Sequence, residues 1–225
     1  MEQQGHILEK DNYLRFCNEL DGVISAFPNF LIKESDGRKY IKGILDIPNA
    51  NGKIAGSFLI EIHFTANYPY RFPDLYEVGG EIERHPDWHK YDDDRCCVTV
   101  PADEILKCKQ GISLINFIEK FAIPFFANHL YRKLTGRYRN GEFGHSIVGP
   151  LQFYTELLKT NDIKLWKKYY EYCFEEINFK FDRNAPCFCG SKMKYKKCHR
   201  VVFTILNDIG KDQVFSDIKM ISKYS

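Results

Sequence analysis

The sequence lacks any apolar run near the roughly 20 residues that a helix needs to cross a bilayer. Its opening residues also lack the basic and then apolar pattern of a secretory signal peptide. Internal repeats and low-complexity tracts are missing as well. These absences argue against membrane, secreted and solenoid proteins, and we expect a cytoplasmic protein with no membrane partner.

A strong charge bias is also missing, since 32 Lys and Arg residues face 30 Asp and Glu residues. This balance makes RNA an unlikely main partner, although it does not exclude a local basic patch. The chain has ample material for a core, with 44% hydrophobic and 15% aromatic residues. Its eight cysteines are not spaced as a secreted disulfide framework, so metal ligands, a reactive thiol and buried thiols are the alternatives.

Hydrophobic periodicity predicts an α+β fold. An amphipathic helix over residues 7–27 is followed by an antiparallel meander of three strands, then by an irregular, proline-containing stretch over residues 68–101. Further helices are expected at 111–134, kinked or split at Pro124, and at 151–158 and 163–179, and the tail from Val201 is expected to be too short to fold alone. We predict a main domain over 1–160, a helical extension over 161–183, and a small zinc knuckle with its tail over 184–225.

Residues 186–200 read P-C-F-C-G-S-K-M-K-Y-K-K-C-H-R. Three thiols and one imidazole are a typical ligand set for structural zinc, which predicts a zinc site made by Cys187, Cys189, Cys198 and His199. So short a segment has almost no core, so the metal would supply much of its folding free energy. The order and spacing resemble the SEC-C motif, although Lys192 and Met193 stand where that motif usually has Gly-Lys.

The lysines of this segment have two interpretations. They are either a docking surface for an acidic protein or RNA, or simply the solvated exterior of a very small module.

The stretch before residue 101 carries the residues best suited to chemistry. It contains Tyr68-Pro69 and Pro73, then His85-Pro86-Asp87, then Cys96-Cys97. In this order and spacing, after a helix and a meander and before a long helix, the sequence resembles the ubiquitin-conjugating (UBC) family. The resemblance covers roughly residues 7–160. It implies a UBC-like sheet flanked by helices.

By this resemblance Cys97 is the acyl-accepting nucleophile, and Cys96 is a core-facing residue. Adjacent residues of an extended segment point to opposite sides, so only one of the two thiols is expected at the surface. Two alternatives stay open, namely that Cys96 is the nucleophile or that both cysteines are structural.

Asp87 departs from the family, which has asparagine at this place. A carboxylate cannot donate a hydrogen bond to an oxyanion unless it is protonated. Asp87 would then orient the amine, or the donor would be His85, His89 or His145. His145 lies in a glycine-containing loop that could fold over the thiol.

The resemblance implies an enzyme that forms a thioester between Cys97 and the C-terminus of a partner protein, then transfers the acyl group to a protein or small amine. Similar bacterial proteins occur in antiphage operons called CBASS, which implies antiviral defence and a cGAS/DncV-like nucleotidyltransferase as the partner. The alternatives are a catalytically inactive UBC-like scaffold and a zinc-knuckle adaptor.

Overall fold

The computed structural model describes residues 2–138, 147–175, 182–187, 189 and 191–223. The chain forms two compact units, Met1–Thr99 with Lys107–His145, and Val100–Leu106 with Ser146–Ser225. The α+β class predicted from the sequence is confirmed, whereas the predicted domain boundaries at residues 160 and 183 stay predictions. Among the described helices, none combines the length and the apolarity that crossing a membrane requires.

The first unit begins with α1 (Glu2–Ala26), whose apolar residues recur every three to four positions. This spacing places Phe16, Leu20 and Val23 on one buried face of the helix. A single core of aliphatic and aromatic side chains joins that face to the sheet and to the helices that follow. The helix predicted over residues 7–27 is confirmed, with an earlier start.

An antiparallel sheet of four strands, in the order β1-β2-β3-β4, follows α1. Its strands are β1 (Phe30–Ser35), β2 (Arg38–Pro48), β3 (Ile54–His63) and β4 (Asp74–Glu77). The alternation of Phe58, Ile60 and Ile62 sends these side chains into the core. Strands β1, β2 and β3 were predicted from the sequence, and this alternation was recognised in β3.

The fourth strand was not predicted, because β4 has an acidic residue at a core position. Leu75 pairs with Ile62 and Glu77 pairs with Ile60, and the Glu77 side chain is fully buried. The expected irregular stretch over residues 68–101 is therefore only partly correct. A buried carboxylate hid the alternation that identifies a strand.

The predicted long helix over residues 111–134 is interrupted. The structure has α3 (Leu114–Phe117), a π-helical turn (Ile118–Ala122) and α4 (Ile123–Thr135). Pro124 lies in the first turn of α4 and has no N–H, so it cannot bond the carbonyl four residues earlier. The irregularity therefore precedes Pro124. Helix α2 (Pro101–Cys108) was not predicted, although it starts with proline and has acidic residues in its first turn.

The second unit is mostly helical beyond residue 146. Its helices are α5 (Val148–Leu158), α6 (Ile163–Phe174), α7 (Arg200–Ile209) and α8 (Lys211–Ser222). Both α7 and α8 pack against α6, and Trp166, Phe203 and Ile221 are buried. The residues after 200, which were predicted to be too short to fold alone, form two helices that share a core with α6.

Candidate functional site

Two groups of residues merit separate description: the segment that carries Cys96 and Cys97 in the first unit, and the cysteine-histidine cluster in the second. We call residues 89–97 the thiol ribbon. Within it Lys90 pairs with Cys96 in an antiparallel bridge, and the amide of Tyr91 donates to the carbonyl oxygen of Arg95. The ribbon is anchored to the sheet by the Cys96 amide, which donates to the Leu75 carbonyl oxygen at 2.7 Å.

The two faces of the thiol ribbon differ sharply. Lys90 and Cys96 point inward and are 2% and 7% exposed. Burial raises the pKa of the Cys96 thiol well above its ordinary value. Cys97 is only partly buried, and its amide donates to the His89 carbonyl oxygen at 2.8 Å. Of the two thiols, therefore, only Cys97 is accessible to a reactant.

On the outer face Cys97 lies close to Tyr91, whose ring also contacts Arg95. The Arg95 guanidinium lies 5.0 Å from the centre of the Tyr91 ring. Burial, followed by the proximity of the Cys97 thiol, raises the pKa of Tyr91 to about 12. Tyr91 therefore remains a neutral hydroxyl at physiological pH and does not act as a base toward the thiol.

A buried ion pair lies under the thiol ribbon. Lys90 Nζ lies 2.6 Å from Glu77 Oε2 and 2.9 Å from Asp94 Oδ1. Glu77 also accepts hydrogen bonds from the amides of Gly79, Glu81 and Ile82. Neither Lys90 nor Glu77 was identified from the sequence, because a charged residue in a loop normally indicates a solvated surface.

Asp94 is one of three consecutive aspartates that precede the two thiols, and it is neutralised by cations. Arg84 binds its carboxylate through two nitrogens, each at 2.8 Å. These hydrogen bonds, with a contribution from Lys90, lower the pKa of Asp94 to about 2. Asp94 therefore stabilises the thiol ribbon through its ion pairs with Arg84 and Lys90.

We predict that Lys90→Met destabilises the first unit by about 3–5 kcal/mol, because it leaves the Glu77 carboxylate buried without its cation. Urea denaturation followed by tryptophan fluorescence measures this change. The matched control is Lys42→Met, which removes a partly exposed pair with Glu61 at 2.8 Å and should cost about 1 kcal/mol. Equal free energies of unfolding for the two variants would contradict the prediction.

His85 and Asp87 lie together at a 3₁₀ turn (Pro86–Trp88) that precedes the ribbon. The Asp87 amide donates to His85 Nδ1 at 3.2 Å, so the imidazole caps the turn. The carboxylate of Asp87 is 63% exposed and lies 3.6 Å from His85. The residue after this turn, His89, accepts a hydrogen bond from the Cys97 amide through its carbonyl oxygen. His145, the fourth predicted catalytic residue, lies outside the described residues.

The second group brings together all four residues predicted to bind a metal. The ligand atoms of Cys187, Cys189, Cys198 and His199 all lie within 4.8 Å of one another. Cys189 Sγ lies 3.6 Å from Cys198 Sγ, and His199 Nδ1 lies 3.3 Å from Cys187 Sγ and 3.1 Å from Cys198 Sγ. Zinc bound tetrahedrally at about 2.3 Å from sulfur and about 2.1 Å from nitrogen separates its ligand atoms by about 3.6–3.8 Å. The cluster is therefore close to the size that such an ion needs.

Backbone hydrogen bonds hold the segment in this arrangement. Pro186 pairs with Lys194 in an antiparallel bridge, and the Cys187 amide donates to the Met193 carbonyl oxygen at 2.7 Å. A 3₁₀ turn (Tyr195–Lys197) then leads to Cys198, and α7 begins directly after His199. The last two ligands are therefore positioned by the start of a helix.

His199 is also oriented from its other side. Its Nε2 lies 3.0 Å from the hydroxyl oxygen of Tyr169, a residue of α6 that is 2% exposed. Burial lowers the pKa of His199, which favours the neutral imidazole that a metal ligand requires. If Nδ1 coordinates a metal together with the thiolates, Nε2 carries the proton and donates to the Tyr169 hydroxyl oxygen. This contact was not predicted from the sequence.

We predict that Tyr169→Phe weakens zinc binding by about 10- to 100-fold, because His199 loses the acceptor that fixes its tautomer. Competition with a chromogenic zinc chelator measures the affinity. Tyr170→Phe is the control, since its ring packs against Phe174 and Phe215 instead. Unchanged affinity in Tyr169→Phe would show that this hydrogen bond has no effect on the site.

Comparison with known proteins matches one part of the chain. The SEC-C motif matches residues 183–200, which contain the whole cluster. No curated protein and no solved structure matches the chain. The motif is a metal-binding one, so the match and the geometry together make Cys187, Cys189, Cys198 and His199 a candidate metal centre.

Proposed function

We propose that the protein is a UBC-like acyl carrier in which Cys97 forms a thioester with the C-terminus of a partner protein. The observation that carries this proposal is the difference between the two adjacent thiols. Cys96 is buried, while Cys97 lies on the outer face of an anchored ribbon. A transfer enzyme needs such a thiol, held rigidly and open to a large substrate.

The order of structural elements also supports the proposal. A helix, a four-stranded antiparallel meander, the His85–Asp87 turn and the thiol follow one another along the chain, and α3 and α4 come after the short helix α2. This is the order implied by the resemblance to the UBC family. Likeness of element order alone does not establish an activity, so the argument depends on the residues around Cys97.

The proposed reaction has two steps. In the first, the Cys97 thiolate attacks the activated C-terminal carbonyl of the partner, forms the C–S bond and expels the activating group. In the second, an amine attacks the thioester carbonyl, forms a C–N bond and releases the Cys97 thiol. The exposed carboxylate of Asp87 is suited to accept a hydrogen bond from the incoming amine and, at the end, its proton.

A neutral Tyr91 beside the thiol is consistent with a carrier rather than a hydrolase. A protease-like site activates its cysteine with a nearby base, which would also activate water against the thioester. Tyr91, whose pKa is raised to about 12 by burial and by the nearby thiol, offers no base. The thioester would then persist until an aligned amine arrives.

The substrate class follows from the resemblance to bacterial UBC-like proteins of antiphage operons. We propose a cGAS/DncV-like nucleotidyltransferase as the partner whose C-terminus is carried, with a protein or small amine as the acceptor. Activation of that C-terminus would come from another protein.

We further propose that the cluster of the second unit holds zinc in a structural role. Three thiolates and one imidazole fill a tetrahedral coordination shell, which leaves no position for a reacting molecule. The ion would contribute folding free energy to residues 182–200, and the exposed Lys192, Lys194 and Lys197 would surround it.

A second candidate function is an inactive UBC-like scaffold, favoured by Asp87. Its carboxylate is solvent-exposed and cannot donate to an oxyanion unless protonated. To separate the two, the protein is co-expressed with its operon neighbours and analysed by non-reducing electrophoresis. An acyl carrier gives a thioester adduct that added thiol cleaves at neutral pH, whereas an inactive scaffold gives no adduct.

A further inference from the structure

Three side chains from α4 and the residues after it hold the turn that precedes the thiol ribbon. We call His129, Arg132 and Tyr138 the α4 clamp. Arg132 Nη1 donates to the carbonyl oxygen of Asp87 and, at 3.0 Å, to the hydroxyl oxygen of Tyr138. The clamp therefore contacts the backbone of Asp87.

His129 completes the clamp from inside the core. It is 1% exposed, and its Nε2 lies 2.8 Å from the carbonyl oxygen of Trp88 and 3.2 Å from the Tyr138 hydroxyl. Its Nδ1 lies 2.9 Å from the Phe125 carbonyl oxygen, one turn earlier in α4. Two consecutive carbonyl groups of the turn, at residues 87 and 88, are thus fixed to one helix.

The shape of arginine matters in this arrangement. The Arg132 guanidinium lies 4.0 Å from the centre of the Trp88 ring and 4.7 Å from that of Tyr138. A planar cation can stack on aromatic rings while its nitrogens bond oxygens in the same plane. Lysine provides the charge but neither the stacking surface nor the fixed fork of donors.

The clamped carbonyl groups are directly connected to the nucleophile. The next residue, His89, accepts the amide of Cys97 at 2.8 Å. The chain of contacts thus runs from α4 through residues 87–89 to the thiol. The Asp87 side chain is 63% exposed and lies 3.6 Å from His85.

We propose that the α4 clamp consists of positioning residues that hold Cys97 in place for acyl transfer. The proposal rests on the proposed function for its purpose, but the clamp itself is testable without any partner. A misplacement of about 1 Å can slow an aligned reaction about 100-fold. The loss of Arg132 should therefore change the position of the Cys97 thiol while the fold is retained.

The test compares two adjacent amides by hydrogen exchange in the whole protein. The Cys97 amide bonds to His89, which the clamp controls, whereas the Cys96 amide bonds to Leu75 in the sheet. In Arg132→Gln we expect the Cys97 amide to exchange at least 10-fold faster, while the Cys96 amide changes by less than threefold. The control, Lys133→Gln, removes the neighbouring exposed cation that pairs with Glu81 and should change neither amide.

A second measurement follows the thiol. Alkylation of Cys97 by iodoacetamide is followed by peptide mass spectrometry across pH 6–9.5. In Arg132→Gln its rate should change more than threefold, or the midpoint of its pH profile should shift. If Arg132→Gln does not fold, Arg132→Lys keeps the cation but not the fork and should show the same local effects. Equal acceleration of both amides, or an alkylation profile identical to the wild type, would overturn the proposal. Failure to trap an adduct would overturn only the acyl-carrier function.

Discussion

The Cys198→Ser variant is expected to lose the folded structure of residues 182–200 while the first unit keeps its own. Zinc binding contributes about 10–16 kcal/mol of apparent free energy to small structural sites at neutral pH. Apart from Cys187, no described residue of this segment has a buried side chain, so little else opposes its unfolding. Removal of zinc with a strong chelator should give the same result as the substitution.

Amide hydrogen exchange measures this effect at defined positions. The amides of Cys187 and Tyr195, which donate to the carbonyl oxygens of Met193 and Ala185, should lose protection. Cys173→Ser is the matched control, because this thiol belongs to α6 and lies outside the cluster. Full protection of the segment after chelation would show that its own packing, and not a metal, maintains it.

The Cys97→Ser variant is expected to lose acyl transfer by about 10³-fold or more, because an unactivated hydroxyl is a poor nucleophile compared with a thiolate. Any acyl group that it does accept would be held as an oxyester, which amines cleave more slowly than a thioester. The assay follows the amide product formed with the operon partners over time. The folded structure should be unaffected, since the Cys97 side chain is only partly buried.

Cys96→Ala is the control that makes this result specific. Cys96 is buried and packs as a small apolar residue, so its replacement should cost about 1 kcal/mol of stability. Transfer should stay within about threefold of the wild type. If Cys96→Ala abolishes transfer and Cys97→Ser retains it, the assignment of the two thiols is reversed.

Features that depend on local sequence were predictable. The alternation of apolar residues in β3 and the helical spacing of Phe16, Leu20 and Val23 identify their elements because each pattern reflects one buried face. The metal cluster was predictable for a related reason. A tetrahedral ion imposes a ligand set and a short spacing, and both can be recognised within 13 residues of sequence.

Features that depend on distant partners were not predictable. Glu77 occupies a strand position in the core, where its charge is balanced by Lys90 from another segment of the chain. His129 and Arg132 look like ordinary residues of a helix until the fold places the carbonyl groups of residues 87 and 88 against them. In both cases the residue type is explained by a contact whose partner lies many positions away in the sequence.

Mass spectrometry of Cys97→Ser protein, co-expressed with the genes that neighbour its own, tests the central claim most directly. The proposed function predicts a branched peptide in which the C-terminus of a partner protein is esterified to residue 97, and the same peptide should be absent from a Cys97→Ala preparation. The claim would be contradicted if, with the partner present and activated, neither the wild-type protein nor the variants carried an acyl group at residue 97 or at Cys96.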